Sequence, residues 1–135
     1  MVAKAQLKDC PCGSGKPYAG CCGRHIDDGG LPDTAEALMR SRYTAYALGS
    51  EAYVLSTWHA STRPASLGLA EQPVPKWIGL KVLRHEQQDE SHAVVEFIAR
   101  YKVNGRAYKM QETSRFVRED GRWYYVDGDA GNGPP

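Results

Sequence analysis

The sequence predicts an α+β domain, with helices packed on a curved antiparallel sheet, behind a small cysteine-rich N-terminal segment. Three observations carry this. Apolar residues of the first half recur at spacings of three and four, whereas from Trp77 onward they recur at a spacing of two. Asn104-Gly105 and Asp120-Gly121 punctuate the second half with hairpin-turn dipeptides. All four cysteines lie within one stretch, CPCGSGKPYAGCCG, from Cys10 to Gly23.

Residues 1–24 hold Gly, Cys, Lys and Pro with almost no large aliphatic side chain, and form the cysteine segment. Residues 25–32, HIDDGGLP, read as a linker, and Asp33 or Thr34 can cap a helix after it. Ala35, Leu38, Met39, Tyr43 and Tyr46 give the apolar spacing of a helix over 35–49, which Gly49 stops. A second short helix is expected over 51–58, with Tyr53, Val54, Leu55 and Trp58. Residues 59–76 carry three prolines and read as irregular, with one short helix near 66–70.

Strands are expected near 77–86, 92–103, 107–118 and 122–127, joined as a meander. In the second strand Val95, Phe97, Ala99, Tyr101 and Val103 share a face, opposite Val94, Glu96, Ile98, Arg100 and Lys102. The main domain is thus 33–130, and 131–135, GNGPP, is a loose tail. A curved sheet under a helical lid leaves a cone-shaped hollow, where a small molecule can sit.

The composition narrows the function. A chain of 135 residues is one domain's worth and buries a core without cross-links. A formal net charge of +1 creates no strong field to recruit nucleic acid or a membrane. The N-terminus MVAKAQLKDC lacks an apolar core segment, and no apolar run is long enough to span a bilayer, so a cytoplasmic location without membrane contact is expected. In the cytosol, clustered cysteines point to metal rather than to disulfides.

The cysteine spacing is Cys10-x-Cys12, eight residues, then Cys21-Cys22. Four thiolates can surround one Zn²⁺ tetrahedrally, and such a closed site is structural, because no coordination position stays open. Lys8, Lys16 and Arg24 are near enough in sequence to offset part of its negative charge. Disulfides, an iron–sulfur cluster and a redox pair are the alternatives, the last weakened because Cys10-Pro11-Cys12 is not C-x-x-C. Gly13-Ser14-Gly15-Lys16 lacks the spacing and flanking elements of a phosphate loop. A metal-held knuckle presents side chains to partners. Lys16, Tyr18 and Arg24 could meet RNA, the ribosome or an acidic protein patch, or form only a solvated surface.

In the main domain, Glu96 and Glu112 interrupt apolar rows. If either faces the hollow, it needs a partner such as Arg42 or a tyrosine hydroxyl, and it becomes a candidate general acid or base. Otherwise both pair with Arg or Lys on the solvated face. Arg42, Tyr43 and Tyr46 would orient an anionic ligand in that hollow. His59 is a third catalytic candidate, with no Ser or Cys partner evident in sequence, and reads equally as a last-turn residue. His25, His85 and His92 have no mutual metal spacing. Trp77, Trp123, Tyr124 and Tyr125 read as core and rim packing more readily than as stacking platforms for bases.

CPCGSGKPYAGCCG resembles the SEC-C motif, a zinc knuckle found at the C-terminus of the SecA translocation ATPase and in many other bacterial proteins. The resemblance implies Cys10, Cys12, Cys21 and Cys22 as ligands, with Cys22 where some members have histidine. In SecA the knuckle is associated with SecB and the ribosome. The stretches ALMRSRYTAYALG, YVLSTWHASTRP, WIGLKV, VEFIARY and QETSRFVREDGRWYYVDG resemble the bacterial YchJ family. That resemblance implies an NTF2-like, cystatin-type domain with a conical pocket. Relatives in that superfamily are isomerases, dehydratases and cyclases, or binding domains that dimerise through the sheet. It implies no particular reaction. The sequence-based expectation is therefore a zinc-containing binding or adaptor protein, with a pocket enzyme and an RNA binder as alternatives.

Overall fold

The change of period at Trp77 marks the boundary between helices and sheet. In a computed structural model, which describes residues 9–71 and 73–130, the order is a 3-10 turn (Tyr18–Gly20), α1 (Gly23–Ile26), α2 (Ala35–Leu48) and α3 (Glu51–Ser56), then four strands. The strands are β1 (Lys76–Gln87), β2 (His92–Val103), β3 (Arg106–Glu119) and β4 (Arg122–Ala130). They form one antiparallel sheet in the order β1-β2-β3-β4. Lys4, Lys8 and the tail 131–135 lie outside the described residues. Among the described residues no helix is long and apolar enough to cross a membrane.

Helix α2 starts where Thr34 Oγ1 accepts the Ala37 amide at 3.0 Å, and it ends at Gly49, whose φ of 75° is left-handed. Leu38, Met39, Tyr43 and Leu48 are buried, but so are Ser41, Arg42 and Thr44. The helix is covered on more than one side because the cysteine segment packs on it as well as the sheet. The 25–32 stretch begins inside α1 and folds back, with His25 Nδ1 at 2.8 Å from the Gly30 carbonyl. The short helix expected near 66–70 is absent. There Glu51 accepts the amides of Leu67 and Leu69, which holds the segment as a loop.

Asn104 and Gly105 have φ of 51° and 78°, and Asp120 and Gly121 have 52° and 76°, the two-residue hairpin turns the dipeptides predict. Pairing is continuous between β2 and β3, so Phe97 stands opposite Glu112 and Val95 opposite Ser114. The outer strands are bulged. Pairing skips Ile78 and Leu83 in β1 and Val126 in β4. Bulges bend a sheet, and both bulged strands, β1 and β4, pack against α2. The β4 bulge also changes parity. Tyr125 pairs with Phe116 on the inner face, while Asp127 pairs with Arg115 on the outer face.

Candidate functional site

The four cysteines converge because the chain reverses between them. Cys10 N donates to the Lys16 carbonyl and Cys21 N to the Tyr18 carbonyl, closing the loop on itself. All four Sγ atoms lie within 4.8 Å of one another, with no disulfide among them. Cys12 and Cys21 Sγ are 3.7 Å apart. The edge of a tetrahedron with metal–sulfur bonds of 2.3 Å is about 3.8 Å, so the donor set fits a four-coordinate ion. Hydrogen bonds with Cys10 and Cys22 hold the Cys12 thiol far below its ordinary pKa, and those with Cys10 and Cys12 push Cys22 up. A cation would displace the protons that remain.

This cluster is part of the core. Cys12 is fully buried and Cys10 and Cys22 nearly so; only Cys21 is half-buried, with Ser14 Oγ at 3.2 Å. Cys10 Sγ lies 3.7 Å from Thr44 Oγ1 on α2, and Arg40 Nη1 of the same helix donates to the Cys12 carbonyl at 2.9 Å. Tyr18 is 3% exposed. Its ring closes over Gly23, where any Cβ would fall 2.9 Å from it.

On the other side of α2 the sheet curls away to leave a cavity of about 280 Å³. Aromatic rings form most of its wall: Tyr43, Tyr46, Trp58, Trp77, Phe97, Phe116 and Tyr125. Among the described residues two charged side chains line it, Arg42 from α2 and Glu112 from β3. Arg42 is 6% exposed. Its Nη1 donates to the Val54 carbonyl at 2.7 Å and to Thr57 Oγ1 at 2.8 Å. Its guanidinium lies 5.0 Å from the Trp58 ring centre and 4.4 Å from that of Tyr125. Burial lowers its pKa, while Tyr46, Tyr125 and Glu112 act in the opposite sense. Glu112 Oε2 accepts from Ser114 Oγ at 2.6 Å and from the Tyr125 hydroxyl at 3.5 Å. Among the described residues the two form no ion pair, although both face one cavity.

Residues 34–128 match the family described as "YchJ, middle NTF2-like domain". The chain belongs to the YchJ family. It is 61% identical to a UPF0225 protein from Chromobacterium violaceum, over 95% of this chain and 98% of that one. It is 54% identical to another from Ralstonia nicotianae, over 96% of each. Two solved structures share the fold: a SEC-C motif containing protein from Rhodopseudomonas palustris (TM-score 0.81, 35% identity, 92% of this chain and 99% of that one) and another from Psychrobacter arcticus (TM-score 0.77, 25% identity, 100% and 88%). The expected NTF2-like α+β fold behind a SEC-C segment is therefore the fold of this YchJ-family chain.

Within this YchJ-family fold the sequence-predicted pocket residues separate. Arg42, Tyr43, Tyr46 and Glu112 meet in the cavity. Glu96 does not line it. Its row faces outward, where Gln111 Nε2 donates to it at 2.8 Å and Arg84 lies 3.6 Å away. His59 lies outside the cavity too. Contrary to expectation it has a serine beside it: Ser61 Oγ is 2.7 Å from Nδ1, and Nε2 is 2.9 Å from Glu119. This chain ties a surface turn to the end of β3, and the Ser61 amide also donates to Nδ1 at 3.1 Å. Tyr18, expected to face a partner, is buried; Lys16 and Arg24 remain exposed. Sequence reasoning missed Trp58, Ser114 and Tyr125 as partners of the two charges. Ser114 shares the row of Glu112 and was open to view, whereas Tyr125 reaches the cavity through a bulge that no local pattern announces.

Proposed function

We propose that this is a zinc-braced, small-molecule-binding protein of the cytoplasm, whose site is the cone between α2, α3 and the sheet. The observation that carries this is the cavity: ringed by aromatics, with one buried cation and one carboxylate held apart by their own partners. Desolvated charges without each other as partners are costly unless something completes them, and a preformed apolar cavity with a few convergent polar groups is the usual form of a ligand site. Zn²⁺ on Cys10, Cys12, Cys21 and Cys22 would be structural, since the four thiolates close its shell and the cluster sits against Thr44 and Arg40.

The outer face of the sheet carries Arg84, Glu96, Arg115, Asp127 and Asp129. A homodimer through that face would have to bury these charges, so the proposed site is complete in one chain. A protein, ribosome or RNA partner at the knuckle would meet Lys16 and Arg24 and not Tyr18. An enzymatic reading rests on Glu112, the one carboxylate that lines the cavity among the described residues.

The test has two arms. Elemental analysis of protein purified without chelator should give one zinc per chain. A thermal-shift screen of small aromatic compounds should give hits that vanish in Met110→Trp, which fills the cavity. An absence of hits, or hits indifferent to that substitution, would remove the cone as the site.

A further inference from the structure

We propose that the cavity ligand is a small aromatic monocarboxylic acid carrying a hydroxyl or amino group at its far end, with the carboxylate on Arg42 and the donor on Glu112. This rests on the cone being the binding site and adds the chemical class.

The open positions of the two charged groups define the class. Arg42 spends only Nη1 on the protein. Its Nε and Nη2 have no partner among the described residues, yet they are not sealed from the cavity that Arg42 lines. Those two nitrogens form one edge of a planar fork, which matches the two oxygens of a carboxylate. Glu112 likewise spends Oε2 on Ser114 and Tyr125, and Oε1 has no partner among the described residues. An ionised carboxylate oxygen only accepts, so the ligand must bring it an O–H or N–H donor.

Pairing with Arg42 beside Glu112 selects a ligand with a single anionic group. Among the described residues the lining holds one guanidinium and one carboxylate. A phosphate dianion would face Glu112 with charge left over, whereas a single carboxylate with a neutral or cationic donor end satisfies both groups. The body between them must be apolar and flat. Tyr43 meets Trp77 edge-on at 5.8 Å between ring centres, and Tyr46 lies 6.2 Å from the same ring, so the wall between the two charged groups is mainly ring faces and edges, with neutral hydroxyl and indole donors at its rings' polar ends. A volume of about 280 Å³ stands at the lower end of ligand pockets, which limits the body to one ring and a short arm. Tyr46 and Trp77 also line a wider cleft beside residues 67–71 and 73–76, so the two hollows share a wall. Nothing must rearrange on binding, because Val54, Thr57, Ser114 and Tyr125 already fix both charged groups.

Trp58 and Trp77 in the wall supply the readout. Full-length protein is titrated, by tryptophan fluorescence, with para-hydroxybenzoate, para-hydroxyphenylacetate and para-hydroxycinnamate, which differ in arm length. Each is paired with its analogue lacking the hydroxyl, and a third set of phenols lacks the carboxylate. At least one hydroxy acid should bind saturably, and loss of either polar group should weaken it roughly tenfold or more. Glu112→Gln should shrink the preference for the hydroxyl to under about threefold while the need for the carboxylate persists. Its fold is checked by circular dichroism. Arg42→Gln should abolish the need for the carboxylate. Should that variant fail to fold, the matched pairs on the unaltered protein still decide. Neutral phenols binding as tightly as the acids, with binding lost in Met110→Trp, would overturn the ligand class and leave the cone reading standing. No binding by any of the three sets would overturn the class and count against the cone as well.

Discussion

Gly128 on β4 lies directly beneath the Glu112 carboxylate: a Cβ built on Gly128 would come within 2.6 Å of Glu112 Cδ. Among the described residues the hydrogen bonds of that carboxylate then run sideways, to Ser114 and Tyr125. The glycine is what allows a charged group to lie flat on the inner face of the sheet.

Gly128→Ala should therefore push Glu112 off Ser114. Because the displaced group is the end of a flexible side chain, the stability cost should be small, about 1 kcal/mol by urea unfolding. Recognition of the ligand's donor should suffer more than recognition of its carboxylate. Equal loss for both would mean that the variant perturbs the whole cavity rather than one carboxylate.

Arg42→Ala should destabilise by about 3 kcal/mol in urea unfolding, since it leaves the Val54 carbonyl and Thr57 hydroxyl without their donor and opens space between Trp58 and Tyr125. Arg42→Lys keeps the charge but not the planar fork. It should recover part of that stability without recovering preference for a carboxylate ligand. Full recovery of both would reduce Arg42 to a point charge.

If the cysteine cluster holds the proposed zinc, removing it should loosen the helix layer before the sheet. With Cys21→Ser and Cys22→Ser together, bound zinc should be lost and the midpoint of thermal unfolding should fall by on the order of 10 °C. The double variant should retain the circular dichroism of the sheet, whose pairing does not involve the cysteines. An unchanged midpoint would show that the cluster braces nothing.

Alkali should destabilise the fold. Burial raises the pKa of Tyr46, Tyr53 and Tyr125 and pushes Tyr43 up to about 12, against an ordinary value of 10.0. Between the ordinary and the raised value the unfolded chain has lost tyrosine protons that the folded chain keeps. The folded state then binds more protons, so stability falls as pH rises. Urea midpoints should be level through neutral pH and decline above about pH 10, in step with tyrosinate absorbance. A flat profile into that range would contradict the burial of these hydroxyls.

Much of the site was legible from local pattern. Period two places Met110, Glu112, Ser114 and Phe116 on one face of β3 whatever the sheet does, and spacings of three and four place Met39, Tyr43 and Tyr46 along one side of α2. Thr34, Gly49, Asn104-Gly105 and Asp120-Gly121 mark boundaries through the conformations they favour or cap. Clustered thiols announce, by chemistry alone, a group that could hold a metal ion.

Tertiary structure decided the rest, because parity says which residues share a face but not which face is covered. Glu96 and Glu112 were equal candidates until strand pairing set Phe97 inward opposite Glu112 and sent Glu96 out toward Arg84. Tyr125 and Asp127 have the same parity, and only the skipped Val126 turns one ring inward to Arg42 and leaves the other side chain outside with Arg115. Tyr18 stands in a loop sequence suited to exposure, and it is buried because the cysteine segment folds back over its own ring and packs on α2. Spacing and residue chemistry act within a few residues and are written in the chain itself. Which charge is buried beside which ring depends on contacts between elements distant in sequence, and those exist only once the sheet has bent around α2.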